Sequence, residues 1–218
     1  GKLPGPRANP ILMPTNSHML ISLDVDDCIA DFVGAAVLKL GPPAAPDARN
    51  LVAMYPDRES EARLLISDGE FHYGVPPLAG APEGVRQMVT SADCDIVYVS
   101  ARLPEFGTLT RAWLWHWRFP QGRVFCVGRL NGNKADRIKE LGASISIDDS
   151  LVALDEISLL TMAEPIVFDR PWNENYEAIR MNGWKDWRRA LNEAGTQTKD
   201  EALAIAAEAL APLYKRGL

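Results

Sequence analysis

Apolar and polar positions alternate in blocks along most of the chain. Met19 to Val25 is an apolar run of strand type that ends abruptly in Asp24, Asp26 and Asp27. A run apolar on both faces predicts a buried strand. A helix is expected over 29–40, where Phe32, Ala36 and Leu40 recur at helical spacing. The Gly41-Pro42-Pro43-Ala44-Ala45-Pro46 stretch stops it. Residues 47–75 are different in kind: polar, with a helix expected around 58–66 and a loop carrying Phe71, His72 and Tyr73. The turn residues from Pro76 to Pro82 return the chain. Residues 35–76 are therefore expected to form a small inserted cap, and 19–34 with 77–218 the core.

From residue 82 the pattern is regular. Helices are expected over 83–92, 105–117, 134–141 and 150–160, and strands over 95–99, 123–127, 143–147 and 165–168. Helices near 184–194 and 199–215 close the chain. The last opens with Thr198 and Glu201 at capping-box spacing and carries Leu203, Leu210 and Leu213 on an apolar face. That face packs on the core or on a second copy, a homodimer. Strands alternating with helices predict an α/β class, a Rossmann-like parallel sheet with helices on both faces.

Composition narrows the function classes. The 218 residues suffice for one sizeable core with a small insert. A net charge of −6 argues against a surface for polymeric nucleic acid, though not against a small anion in a local cationic pocket. Cys28, Cys94 and Cys126 form no CxxC pair, which fits a reducing cytoplasmic setting and argues against a zinc site. No apolar run approaches the ~20 residues of a membrane span. Residues 1–18 are rich in Pro, Gly and Asn, and Ser17-His18-Met19 resembles a cloning scar before a native start. They are set aside as an expression leader, a native arm being the other reading.

Chemistry collects where strands end. Asp24 and Asp26, two apart in extended backbone, point to one side. Their mutual repulsion calls for a cation, and magnesium prefers carboxylate ligands. One of the pair attacks and the other handles a proton. The second strand ends in Ser100-Ala101-Arg102, Lys134 opens a helix after the third, and Asp148-Asp149 follow the fourth. In parallel sheets ligands bind at this carboxyl edge. Taken singly, Ser100 and Asp148-Asp149 are also helix caps and Lys134 a solvated lysine. The aspartates of the first strand are costly to bury unless paired or metal-bound.

This constellation resembles the haloacid dehalogenase (HAD) superfamily. Asp24-Val25-Asp26-Asp27 matches its DxDx motif, Ser100 its Ser/Thr, Lys134 its basic residue and Asp148-Asp149 its acidic pair. The resemblance implies a C1-type cap and phosphatase chemistry: Asp24 as a nucleophile that becomes phosphorylated, and Asp26 as acid/base that also holds magnesium through its carbonyl. It further implies Ser100 and Lys134 on the phosphoryl group, and Asp148, Asp149 or both on the metal. An Asp two after the nucleophile favours phosphatases over dehalogenases proper.

A finer resemblance is to the 5'(3')-deoxyribonucleotidases. It rests on Ile29-Ala30-Asp31-Phe32, on Pro76-Pro77-Leu78-Ala79-Gly80-Ala81, and on Phe168-Asp169-Arg170-Pro171-Trp172-Asn173 followed by Trp184 and Trp187. It implies a (deoxy)nucleoside monophosphate as the small-molecule partner. Other phosphate esters, phosphotransfer to a second acceptor, and a non-catalytic nucleotide or metal binder are the alternatives. With Asp26 protonated, the other three carboxylates and a phosphate monoester exceed magnesium and Lys134 by about two negative charges. Arg102, with Ser100 and Ala101 in the same turn, and Arg170 are the candidates to supply cations. Neighbouring carboxylates are expected to raise the pKa of Asp26. Phe32 faces the substrate or packs in the core. Trp113 and Trp117 share a helix face and are assigned to packing, as is Cys28.

Overall fold

The computed structural model describes residues 19–92, 94–128 and 134–195. Six parallel strands form one sheet: β1 (Met19–Leu23), β2 (Cys94–Ser100), β3 (Arg123–Cys126), β4 (Ile145–Asp148), β5 (Glu164–Phe168) and β6 (Ile179–Met181). Their order is β3-β2-β1-β4-β5-β6. Leu23 lies opposite Tyr98 on one side and Ile147 on the other, so β1 is central.

Alternation along β2 shows how the layers are built. Ile96 and Tyr98 enter one apolar core, whereas Val97 and Val99 enter a second. Successive side chains of a strand point to opposite faces, so the two cores lie on the two sides of the sheet. The second core is closed by α7 (Lys134–Leu141) and α8 (Leu151–Leu160) through Ala135, Ile138, Ala153 and Ile157. The first is larger. It takes α1 (Phe32–Leu40), α5 (Ala81–Ala92), α6 (Gly107–His116) and a last helix over 187–195, here α9.

Between α1 and α5 run α2 (Leu51–Met54), α3 (Glu59–Ser67) and α4 (Gly69–Gly74), a small helical insert. α3 packs on α1 and α4 on α6. The indole N–H of fully buried Trp113 donates to the Val75 carbonyl at 2.7 Å, and its ring stacks on Phe119. This residue pins the end of the insert to α6, and truncating such an aromatic costs about 3–5 kcal/mol. Trp113 is thus core, as its helical position implies.

Several boundaries differ from expectation. The first helix begins at Phe32, because Asp31 caps it by accepting from the Gly34 N–H at 3.3 Å. A Cβ at position 34 would lie 2.3 Å from the Asp31 carboxylate, so a larger residue there would displace this cap. Residues 69–74, expected as a loop, form α4 because Asp68 accepts from the N–H groups of Glu70 and Phe71. Asn50 caps the unanticipated α2 in the same way. β6 was not anticipated. The helix expected near 184–194 is a 3-10 turn over Trp184–Asp186 followed by α9. The helix expected over 199–215 and the leader 1–18 lie outside the described residues.

Candidate active site

After β1 the chain crosses to β2 on one side, and β4 later returns to its other side. The carboxyl ends of β1 and β4 therefore flank the crevice in which open α/β sheets bind ligands. Asp24 and Asp148 stand there. Asp24 continues the strand by donating its N–H to the Ile147 carbonyl at 3.0 Å.

Lys134, the first residue of α7, joins the two carboxylates. Its Nζ lies 2.9 Å from Asp24 Oδ2 and 2.8 Å from Asp148 Oδ2, and all three side chains are buried. Burial alone disfavours the ammonium, but Asp148 and Asp24 outweigh it and raise the Lys134 pKa. Asp148 Oδ1 accepts from the Ser150 N–H at 2.9 Å. Asp149 Oδ2 accepts from the Trp172 indole at 2.9 Å, and its Oδ1 lies 3.8 Å from Cys28 Sγ. Asp24 Oδ1 is buried and, among the described residues, has no partner.

Burial pushes the Asp24 carboxyl well above its usual range, with Lys134 opposing and Asp148 and Asp149 adding to the rise. Burial, with repulsion from Asp27 and Asp148, pushes Asp149 up to about 8. Asp27 is also pushed up to about 8, first by burial, although it accepts the Val33 N–H at 3.0 Å. Its φ of 59° places it in the left-handed region, where the chain turns out of β1.

Asp26 is the correction. A raised pKa was expected from its carboxylate neighbours. Burial does press upward, but Arg102 outweighs it and holds the carboxyl below its ordinary value. The Arg102 Nε donates to both Asp26 oxygens at 3.2 and 3.0 Å, and Nη2 donates to Oδ1 at 2.7 Å. Nη1 donates to Thr110 Oγ1 at 3.2 Å. The guanidinium is fully buried, over the Trp113 ring. It is therefore committed to Asp26 rather than presented to a phosphoryl group. Arg170 lies over the Phe168 ring at 4.8 Å, on the loop after β5.

Ser100 ends β2, is buried, and accepts the Arg102 N–H at 3.2 Å; Ala101 beside it is half-buried. Phe32 is buried in a ring cluster with Phe71 at 5.4 Å and His72 at 5.1 Å, and His72 meets Phe106 at 5.0 Å. Of its two expected places, Phe32 takes packing at the junction of insert and core.

Sequence reasoning missed three supports: Trp172 on Asp149, Asn173 and Thr110. Asn173 donates to the carbonyls of Asp149 and Phe168, both at 2.9 Å, and so ties the loop after β5 to the loop after β4. The 168–173 motif pointed to this loop without revealing its partner.

The residues present fit magnesium. Asp24 Oδ1 is an orphaned buried acceptor, and the donor atoms of Asp24, Cys28 and Asp149 lie within 4.8 Å of one another. Hard carboxylate oxygens suit that ion. Both oxygens of Asp148 are taken, by Lys134 and by the Ser150 N–H, which leaves Asp24 and Asp149 as the side chains placed to ligate.

No protein-family model matches the sequence, and no curated protein matches it. Solved structures do. A hydrolase of the haloacid dehalogenase-like family from Streptococcus pneumoniae superposes with a TM-score of 0.55 at 12% identity, covering 80% of this chain and 99% of that one. A haloacid dehalogenase-like hydrolase from Xanthomonas campestris gives 0.51 at 14%, covering 84% and 98%. A HAD-superfamily hydrolase of subfamily IA from Geobacter sulfurreducens gives 0.50 at 11%, covering 81% and 99%. At these identities the likeness is one of architecture, and the chain has the fold of the haloacid dehalogenase-like hydrolases.

Proposed function

We propose that the protein is a magnesium-dependent phosphatase that works through an aspartyl-phosphate on Asp24, and that it acts on (deoxy)nucleoside monophosphates. The observation that carries the chemistry is the Asp24–Lys134–Asp148 bridge at the β1/β4 crevice, with one Asp24 oxygen unpartnered among the described residues. Phosphoryl transfer needs positioning and charge neutralisation above all. Lys134 and the Ser100 hydroxyl hold the phosphoryl oxygens. Asp24 attacks phosphorus, the bond to the leaving oxygen breaks, and that oxygen takes a proton from Asp26. Water then attacks the acyl phosphate and returns a proton to Asp26. The Arg102 pairing favours the ionised Asp26, so it assists the second proton transfer and opposes the first, for which Asp26 must be protonated. Bound magnesium, on Asp24 and Asp149, would supply further charge neutralisation.

The nucleotide assignment rests on the deoxyribonucleotidase-like motifs. Phosphate release from a panel of nucleoside monophosphates, sugar phosphates and an aryl phosphate tests both levels. Nucleotides are expected to be the best substrates, and Asp24→Asn to lower release by about 10⁴-fold or more with the fold intact. Hydrolysis of sugar phosphates alone would remove the nucleotide assignment. Equal rates for Asp24→Asn would remove the mechanism.

A further inference from the structure

Two carboxylates at the centre of the site are each half committed. Lys134 holds Oδ2 of Asp24, and Trp172 holds Oδ2 of Asp149. Asp24 Oδ1 has no partner among the described residues, and Asp149 Oδ1 faces only the weak Sγ contact of Cys28 at 3.8 Å. Cys28 is fully buried, and its backbone is fixed by the Trp184 indole, which donates to its carbonyl at 2.8 Å. The donor atoms of Asp24, Cys28 and Asp149 lie within 4.8 Å of one another.

A thiol among carboxylates changes which cations a site prefers. Carboxylate oxygens suit magnesium, whereas thiolate selects softer ions. Metal–sulfur and metal–oxygen bonds of about 2.3 and 2.0 Å at a tetrahedral angle put sulfur about 3.5 Å from oxygen. The 3.8 Å seen here is a few tenths of an ångström from that separation.

We infer that Asp24, Cys28 and Asp149 form a site for a thiophilic divalent cation, such as zinc or cobalt(II), that binds in place of magnesium and recruits Cys28 as a thiolate ligand. The thiol gives up its proton to solvent as the metal–sulfur bond forms, and no electron is transferred. The spacing of the cysteines argued against zinc only because it assumed that the ligands would be neighbours in sequence; Cys28 and Asp149 are 121 residues apart. One consequence rests on the phosphatase assignment: zinc takes the Asp24 and Asp149 oxygens that would hold magnesium, so it competes with magnesium for the site.

The test is titration of the metal-free full chain with cobalt(II), followed by near-ultraviolet absorption for thiolate-to-cobalt charge transfer. A band that saturates at one equivalent is expected. Zinc should displace it, and equimolar magnesium should not. The band should vanish in Cys28→Ser and persist in Cys126→Ser. Asp149→Asn should weaken cobalt at least tenfold, as loss of even outer partners of a metal site does. Absence of a band in the wild-type chain overturns the inference, whether or not Cys28→Ser folds. So does a band that survives Cys28→Ser or is lost in Cys126→Ser. The readout needs no turnover, so a band without phosphate release would sink the phosphatase assignment alone, and phosphate release without a band would sink this one alone.

Discussion

Two buried cations flank the end of β1, and they are held in opposite ways. Lys134 is a point charge shared between Asp24 and Asp148, and it leaves Asp24 Oδ1 without a partner among the described residues. Arg102 is a planar fork that takes both oxygens of Asp26, reaches Thr110 and lies over Trp113. A guanidinium matches a carboxylate on two hydrogen bonds, and an ammonium does not. The arginine side is closed: its charges and hydrogen bonds are answered within the protein. The lysine side is open. Its carboxylates repel one another, the pKa values of Asp24 and Asp149 rise, and among the described residues one Asp24 acceptor stays unpaired, so this half lowers its energy by taking a ligand.

Replacing each cation with Met would break or sharpen this contrast most strongly. Losing one partner of a buried pair costs about 3–5 kcal/mol, because the other charge stays behind. Both Lys134→Met and Arg102→Met should therefore unfold at lower urea. Saturating magnesium should restore Lys134→Met by about 2–3 kcal/mol, because a new cation meets Asp24 and ligand binding stabilises the native state by that order. Arg102→Met should gain no more from magnesium than wild type does. Equal rescue of the two in urea melts would erase the distinction.

The pH dependence of the metal-free protein is the next test. Asp24 is raised, and Asp27 and Asp149 stand near 8. Unfolded aspartate titrates near 3.9. Between about 4 and 8 the folded state thus holds more protons than the unfolded one, and stability falls as pH rises through that window. Asp26 has the opposite sign: its lowered pKa stabilises above about 4, and this contribution is lost at lower pH. The metal-free chain should melt higher at pH 5.5 than at pH 8. Magnesium, by favouring the ionised carboxylates, should shrink or reverse the difference. A flat profile without metal would mean that the open side is not strained by its carboxylates.

Much of this site was legible in the sequence because its groups sit at strand ends. β1, β2 and β4 are apolar runs, so the polar residue that follows each is conspicuous, and a parallel sheet brings all such ends to one edge. Asp24, Ser100 and Asp148-Asp149 were found for that reason, and Lys134 because it opens the helix that follows the third strand. What stayed hidden is what depends on contacts across the chain. Arg102 and Asp26 are 76 residues apart, and nothing in either segment marks them as partners. Their pairing reversed the expected pKa shift of Asp26, because an opposite charge in hydrogen-bond contact outweighs burial and more distant like charges. β6 was missed because its three residues are too few to show alternation. α4 was missed because Gly69 and Gly74 at its ends read as loop punctuation, while the Asp68 cap outweighs them.

The smallest effect concerns Trp172, which acts on the open side from a distance. Its indole N–H fixes one oxygen of Asp149 and so decides that the other faces Asp24 and Cys28. Asn173 holds the loop by its bonds to the Asp149 and Phe168 carbonyls, and Arg180 in turn donates to Asn173. Trp172→Phe keeps the ring and removes the donor. The loop should stay in place, so the melting temperature should move little. The Asp149 carboxylate then rotates more freely, and magnesium affinity should fall about tenfold or somewhat more, the usual effect of losing an outer partner of a metal ligand. Turnover at saturating magnesium should change less than the magnesium concentration at half-activity. Direct titration of the metal by calorimetry, on both wild type and variant, separates these quantities. A loss of turnover with unchanged magnesium affinity would place Trp172 among the groups that meet the substrate instead.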